Sequence, residues 1–302
     1  MRVLVTGAAG FFGSRISAHF EGDEVHAIDV PAAPRARLEA LAPGAKVHAV
    51  DLLDAQAVRR LVDDVRPELA IHLAWYAVPG RYLHAEENLD HVEATIHLAR
   101  ALAGAGCARL VTAGTCFEYH TAQGLLAETS RTLPRSLYAA CKLSVAQILG
   151  AATERWGISF AHLRFFYQYG PWEAPQRLVP AVIEPLLRGE EARVTSGDQV
   201  RDFLHIDDVA RAVVLAARSE KQGVINVGSG VPVRVRDVVK AAARACGRPE
   251  LVRYGALPGR PDDPPFVCAD TSVLRGLGFQ PRFDLDAGLE DTVAWYRSRG
   301  PR

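Results

Sequence analysis

The chain has 302 residues, 49% of them hydrophobic, which is ample for a sizeable core in one or two domains. Its 35 basic residues balance its 35 acidic ones, and no basic stripe or like-charge run points to nucleic acid or to a charged tail. No apolar stretch reaches the ~18 residues of a membrane span. The five cysteines (Cys107, Cys116, Cys141, Cys246, Cys268) are odd in number and scattered, which fits a reducing cytoplasm rather than a disulfide framework.

The chain opens on Arg2–Val5, a short apolar run of buried-strand type. Thr6-Gly7-Ala8-Ala9-Gly10-Phe11-Phe12-Gly13 follows, and then a helical stretch. Glycines spaced by three let the backbone turn tightly and approach a pyrophosphate, with the next helix aiming its N-terminal amides at the phosphates. A glycine triplet alone is a weak signal, but here it lies between a strand and a helix, as that motif requires. A strand leading straight into such a loop also argues against a cleaved signal peptide.

A second strand, Glu24–Ile28, ends at Asp29, where an acid can accept hydrogen bonds from an adenosine ribose and repel a 2′-phosphate. This favours NAD over NADP, although Arg35 and Arg37 lie just beyond. A third strand at 46–50 leads into Asp51 and Leu52, which either flank an adenine ring or form a plain turn. Further strands are predicted at 68–73, 108–114 and 159–164, and helices at 11–20, 55–64, 84–104 and 136–156. This alternation implies an α/β fold with a parallel sheet, helices on both faces and ligands beyond the strands' carboxyl ends. Leu73 and Ala74 end the fourth strand on that side, and Trp75 and Tyr76 beyond them either wall the cleft or pack in the core.

After Arg164 the character changes. An aromatic, turn-like stretch runs from Phe165 to Trp172. Helices are then predicted at 177–188, 209–218, 235–246 and 286–298, with strands at 192–195 and 224–227. Asp207 and Asp208 read as an N-cap before Val209. The clean alternation is lost, and the C-terminal third is expected to form a smaller lobe over the cleft.

The chemistry centres on Tyr138-Ala139-Ala140-Cys141-Lys142. Tyrosine and lysine four apart share one helix face. A phenol titrates near ~10, and a neighbouring ammonium is expected to lower that value enough for proton exchange. Pro134 and Ser136 suit the helix start. Thr115, at a strand's carboxyl end, offers a hydroxyl on the ligand side, and Glu118 reads equally as a second acid or a loop charge. Cys116 has no evident His or Asn partner for a nucleophile's role, Cys141 reads as inert packing, and the ten histidines form no HExxH-type cluster, so no structural metal is predicted.

Together TGAAGFFG, Asp29, Thr115, YAACK, RFFYQYGP and RDFLHIDDVA resemble the extended short-chain dehydrogenase/reductase family, in its NAD-dependent epimerase/dehydratase branch acting on nucleotide sugars. The resemblance runs over nearly the whole chain. It implies a Rossmann doubly wound sheet from 1–165 plus about 203–230, and a nucleotide-sugar-binding lobe from about 166–202 plus 231–302. It implies Thr115, Tyr138 and Lys142 as the catalytic set, with Lys142 also holding the nicotinamide ribose. The cofactor cradle would be Gly7, Gly10, Phe11, Phe12, Gly13, Asp29, Asp51, Leu52, Leu73 and Ala74. Asn88 matches a family asparagine, and Arg201 and Arg260 match arginines that grip the diphosphate, with Asp202, Asp262 and Asp263 as competing ion-pair partners. Tyr76, Cys116, Phe117 and Tyr167 complete the expected substrate contacts, Tyr167 standing where the family often has asparagine. In family members two helices like those at 84–104 and 136–156 pair with their copies, so a homodimer is expected.

Dehydratases of this branch carry Asp-Glu directly after the threonine, where this chain has Cys116 and Phe117. The Gly114–Tyr119 stretch looks more like bacterial 4-keto-sugar reductases. The leading expectation is therefore NAD(P)-dependent reduction of a nucleotide-linked 4-keto-6-deoxysugar. The alternative is an epimerase with tightly held NAD, and a more distant one a dinucleotide-binding sensor without catalysis.

Overall fold

The computed structural model describes residues 1–259 and 263–299. The first part runs β1 (Arg2–Thr6), α1 (Phe11–Ala18), β2 (Glu24–Asp29), α2 (Ala36–Leu41), β3 (Lys46–Ala49), α3 (Ala55–Val65), β4 (Leu69–His72), α4 (Glu87–Gly104) and β5 (Arg109–Thr115). Then come β6 (Leu125–Leu126), α5 (Leu137–Trp156), β7 (Ser159–Phe165), β8 (Tyr167–Tyr169), α6 (Leu178–Arg188), β9 (Ala192–Arg193), β10 (Val200–His205), α7 (Ile206–Arg218) and β11 (Gly223–Val227). The chain closes with β12 (Pro232–Arg234), α8 (Val235–Cys246), β13 (Val252–Arg253), β14 (Cys268–Ala269), α9 (Ser272–Gly276) and α10 (Leu285–Arg299).

Seven strands form one sheet in the order β11-β7-β5-β4-β1-β2-β3, every pair parallel. Side chains alternate across it, as the strand period requires. Val3 and Val5 face a core shared with Ile16 of α1 and Val209 and Val213 of α7. Leu4 faces the opposite core, with Val58 and Val62 of α3, Leu98 and Leu102 of α4 and Val145 and Leu149 of α5. Helices therefore cover both faces, which is the doubly wound α/β architecture that the alternation implied.

Sequence-coded caps set several helix limits. Asp54 accepts from the amides of Gln56 and Ala57 at the start of α3. Ser136 accepts from Ala139 at the start of α5, and Gly157, at φ 69°, ends that helix in the left-handed conformation. The start of α4 moves from 84 to Glu87, because Asn88 donates both amide hydrogens to the carbonyls of Tyr82 and Ala85 and holds the preceding segment as a loop. The expected Asp207–Asp208 cap is corrected. The N-cap of α7 is His205, and Asp208 lies fully buried, accepting from Arg211 and from the amides of Arg282 and Phe283.

The second half contains strands the periodicity missed. β10 pairs parallel with β8 and antiparallel with β12 in a three-stranded sheet. A separate core there joins Ile183 and Leu186 of α6, Val238 and Val239 of α8, and Leu289 and Val293 of α10. No helix among the described residues is long and apolar enough to cross a membrane.

Candidate active site

Strand order reverses between β1 and β4, and ligands of such sheets bind beyond the strand ends at that point. Gly7 sits there at φ 66°, and a Cβ on it would lie 2.8 Å from the Ala74 nitrogen. The glycine loop thus rests directly on the chain leaving β4. Thr6 fixes that exit, its hydroxyl oxygen accepting from the amides of Leu73 and Ala74 at 3.2 Å each. A Cβ on Gly13 would stand 2.1 Å from the Gly7 carbonyl oxygen, so only glycine lets α1 approach the loop this closely.

The N-terminus of α1 has no side-chain cap and no acid in its first turn, which leaves its amides suited to an anion. Asp29 closes the other side. Its Oδ2 accepts from the Ala9 amide and its Oδ1 from the Val30 amide, both at 2.9 Å, which seats the carboxylate against the loop. Phe11 and Phe12 are half-buried, with Phe12 packed on Phe165. Glycine cradle, uncapped helix end and adjacent carboxylate together fit an adenine dinucleotide. Asp51 and Leu52 follow β3 on the same side of the sheet. Asp51 is exposed and accepts from the Leu53 amide, while Leu52 is buried in the sheet's core.

Tyr138 and Lys142 lie on the first turns of α5, anchored where the Tyr138 amide donates to the Leu83 carbonyl at 3.1 Å. Thr115 ends β5, and its hydroxyl lies close enough to the Tyr138 phenol to act on its ionisation. The Lys142 Nζ is 5.9 Å from the centre of the Tyr138 ring and 3.6 Å from that of Trp75. The three candidate catalytic side chains therefore converge, and Trp75 belongs to their surroundings. Its indole nitrogen donates to Asn88 Oδ1 at 2.8 Å, and its ring stacks on His91 and meets Tyr138 edge-on.

The expected electrostatics is corrected. Burial pushes the Tyr138 phenol up rather than down, the Tyr82, Glu118 and Cys116 groups add to the rise, and the Thr115 hydroxyl opposes it. Burial pushes the Lys142 ammonium down to about 7, with the Glu118 carboxylate the main opposing influence. Among the described residues Lys142 has no ion-pair or hydrogen-bond partner, and the Trp75 ring face is its principal polar contact. Glu118 is not a surface loop charge. It is fully buried and ion-paired with His162 and Arg164.

Of the expected substrate contacts, Phe117 and Tyr167 meet edge-to-face at 6.4 Å, and Arg201 lies 5.4 Å over the Tyr167 ring. Arg201 is buried and donates to Asp263 at 2.5 Å. Asp202 is not its partner, because that carboxylate is consumed by Ser229 and by the amides of Gly230 and Ala269. Cys116 is buried, its thiol pushed up to about 12 by burial, which leaves it unreactive. Tyr76 is half-buried beyond β4. Arg260 and Asp262 lie outside the described residues.

Two further side chains were not singled out from the sequence. Tyr82 packs edge-on against Tyr138 at 4.9 Å, and the Arg177 guanidinium lies 5.6 Å from the Tyr82 ring. Tyr82 falls in no predicted element or motif, and Arg177 read only as the first residue of the helix expected at 177–188, so no pattern marked either as part of a site. Among the described residues one trio of metal-ligand type converges, His205, Asp207 and Asp291, but Arg15 already holds Asp207 at 3.2 Å.

Residues 3–228 match the NAD dependent epimerase/dehydratase family profile. A curated relative, UDP-glucuronate 4-epimerase 4 of Arabidopsis thaliana, is 29% identical and aligns with 98% of this chain and 75% of its own length. The crystal structure of the Thermotoga maritima UDP-glucose 4-epimerase with UDP-glucose superposes with a TM-score of 0.90 at 27% identity, over 99% of both chains. The Thermus thermophilus UDP-glucose 4-epimerase in complex with NAD gives 0.86 at 29% identity, over 98% of this chain and 99% of that one.

Proposed function

Because the chain belongs to the NAD dependent epimerase/dehydratase family, we propose that it is a UDP-sugar 4-epimerase acting on a hexose or its uronate, with NAD retained between turnovers. The observation that carries this reading is that relatives aligning with 97–98% of the chain bear the names of 4-epimerases. Those relatives favour the epimerase alternative over the reductase expectation drawn from the Gly114–Tyr119 stretch. Cys116 and Phe117, in place of a dehydratase's Asp-Glu, support epimerisation over dehydration.

In this reading the cofactor-binding part is residues 1–165 and about 203–230, and the sugar-nucleotide part about 166–202 and 231–302. Gly7, Gly10, Gly13 and the α1 amides would hold the pyrophosphate, Asp29 the adenosine ribose and Lys142 the nicotinamide ribose. The chemistry supplied by bound NAD is reversible hydride exchange with the sugar's C4. Tyr138 takes the proton of the 4-hydroxyl as that carbon is oxidised and returns it on reduction, and Thr115 donates a hydrogen bond to the same oxygen. Arg201 leaves Asp263 to grip the diphosphate, a bidentate task suited to a guanidinium. The outer faces of α4 and α5, with Leu89 and Ile148 exposed, form the pairing surface of a homodimer in this reading.

The test is to incubate the protein, purified without added cofactor, with UDP-glucose or UDP-glucuronate and to follow the sugar by NMR. The 4-epimer should appear with no net NADH. Stoichiometric NAD(P)H consumption on a 4-keto sugar nucleotide, without epimerisation, would restore the reductase.

A further inference from the structure

We propose that Glu118 is a positioning residue: its buried carboxylate holds the turn after β5 so that the Thr115 hydroxyl is presented to Tyr138. Thr115-x-x-Glu118 has the spacing of a capping box. Both halves of that box form. The Thr115 Oγ accepts from the Phe117 amide at 3.3 Å, and Glu118 Oε1 accepts from the Thr115 amide at 2.8 Å.

A capping acid on a surface would be solvated, but this one is fully buried. Its Oε1 also meets His162 Nε2 at 3.0 Å, and its Oε2 accepts from Arg164 Nε at 2.7 Å. Both partners lie on β7, so the carboxylate bolts the end of β5 to the neighbouring strand. His162 is fixed in turn by Thr112 at 2.8 Å, and the Arg164 guanidinium lies 4.2 Å over the Tyr119 ring. Gly114 fits only as glycine here, since a Cβ would stand 2.2 Å from His162 Nε2 and 2.5 Å from Glu118 Oε1.

Apolar residues fill a core at least as well as buried ions do, so packing alone does not account for this cluster. It stands where the chain leaves the sheet and enters the cleft. Burial opposes ionisation of Glu118, but His162 and Arg164 override it and hold the carboxyl below its usual range. The resulting charge acts on both Tyr138 and Lys142.

The activity part of the test rests on the epimerase reading, so it is paired with a readout that does not. Cys116 is 1% exposed and lies inside the braced turn. In cofactor-free protein its labelling by a thiol reagent, mapped by peptide mass spectrometry, should accelerate at least ~10-fold in Glu118→Gln, because loosening the turn uncovers the thiol. Asp208→Asn, which alters another fully buried carboxylate on α7, should leave that rate unchanged. In epimerisation, Glu118→Gln should lower kcat about 10²-fold with KM within about 3-fold, since a displacement near 1 Å costs that much.

Glu118→Asp keeps the charge beside Arg164 but is one methylene too short to reach the Thr115 amide as well, so both readouts should fall between. It carries the test if Glu118→Gln does not fold. Wild-type labelling and kcat in either Glu118 variant would overturn the proposal, as would an equal kcat loss in Asp208→Asn. Faster Cys116 labelling, in a protein whose wild type epimerises no UDP-sugar, would uphold the positioning role and overturn the function proposed above.

Discussion

Replacing Lys142 with methionine should stabilise the ligand-free protein while abolishing turnover. The lysine is 3% exposed, and burial carries its ammonium from an ordinary 10.5 to about 7. That drop of about 3.5, at ~1.36 kcal/mol for each, sets about 4–5 kcal/mol against folding with the charge in place. The Trp75 face at 3.6 Å offsets ~1–2 kcal/mol of this. A net cost of about 3 kcal/mol remains, and methionine escapes it because its similar volume packs on the same ring without a charge. The sign with pH follows from linkage. Between about 7 and 10.5 the unfolded chain binds the proton that the folded lysine has lost, so wild-type stability from this group rises with pH across that window and is lowest below 7. Urea unfolding of ligand-free protein should therefore show Lys142→Met more stable by about 3 kcal/mol near pH ~6, with the gap narrowing toward pH ~9. A variant less stable than wild type, or a gap independent of pH, would refute the reasoning.

If the proposed reaction is right, Tyr138→Phe removes its proton carrier but not the cradle, so turnover should fall ~10²–10⁴-fold while the protein still purifies with NAD, as measured by its nucleotide content. Trp75→Leu should lower kcat by ~2- to 30-fold through loss of the ring face under Lys142, whereas Trp75→Phe should recover most of it; equal losses in steady-state kinetics would make the contact mere packing. Gly13→Ala places a carbon 2.1 Å from the Gly7 carbonyl oxygen, and the displaced loop should cost the purified protein its retained NAD while far-ultraviolet circular dichroism stays unchanged.

The parts of the fold legible in the sequence were those whose burial is apolar. Strands of a parallel sheet covered on both faces read as continuous hydrophobic runs, and Arg2–Thr6, Leu69–His72 and Ser159–Phe165 fall within a residue or two of their expected limits. β10 was hidden because its sequence carries Arg201 and Asp202, which look like surface charges. Both are buried, and Asp202 has its lone pairs satisfied by Ser229 and by two backbone amides. No periodicity reports a polar side chain whose partner lies far away in sequence. Glu118 differs, because its capping-box spacing to Thr115 was present in the sequence, and only the burial that makes it more than a cap required the packed strands.

The four-residue spacing of Tyr138 and Lys142 shows how a sound local rule yields the wrong sign. It correctly places both on one face of α5, yet the ammonium settles on Trp75, 5.9 Å from the centre of the phenol ring. At ~6 Å and an effective dielectric constant near ~20, a full charge is worth about 3 kcal/mol, or about two pKa units. Near neutral pH Lys142 is only partly charged, so the pull on the phenol is smaller still, while the cost of burying a phenolate is undiminished. Burial therefore prevails at Tyr138. Its ability to accept a proton depends on how far Lys142 stays charged, and that rests on the Trp75 face and the Glu118 carboxylate, neither of which a tyrosine–lysine spacing names.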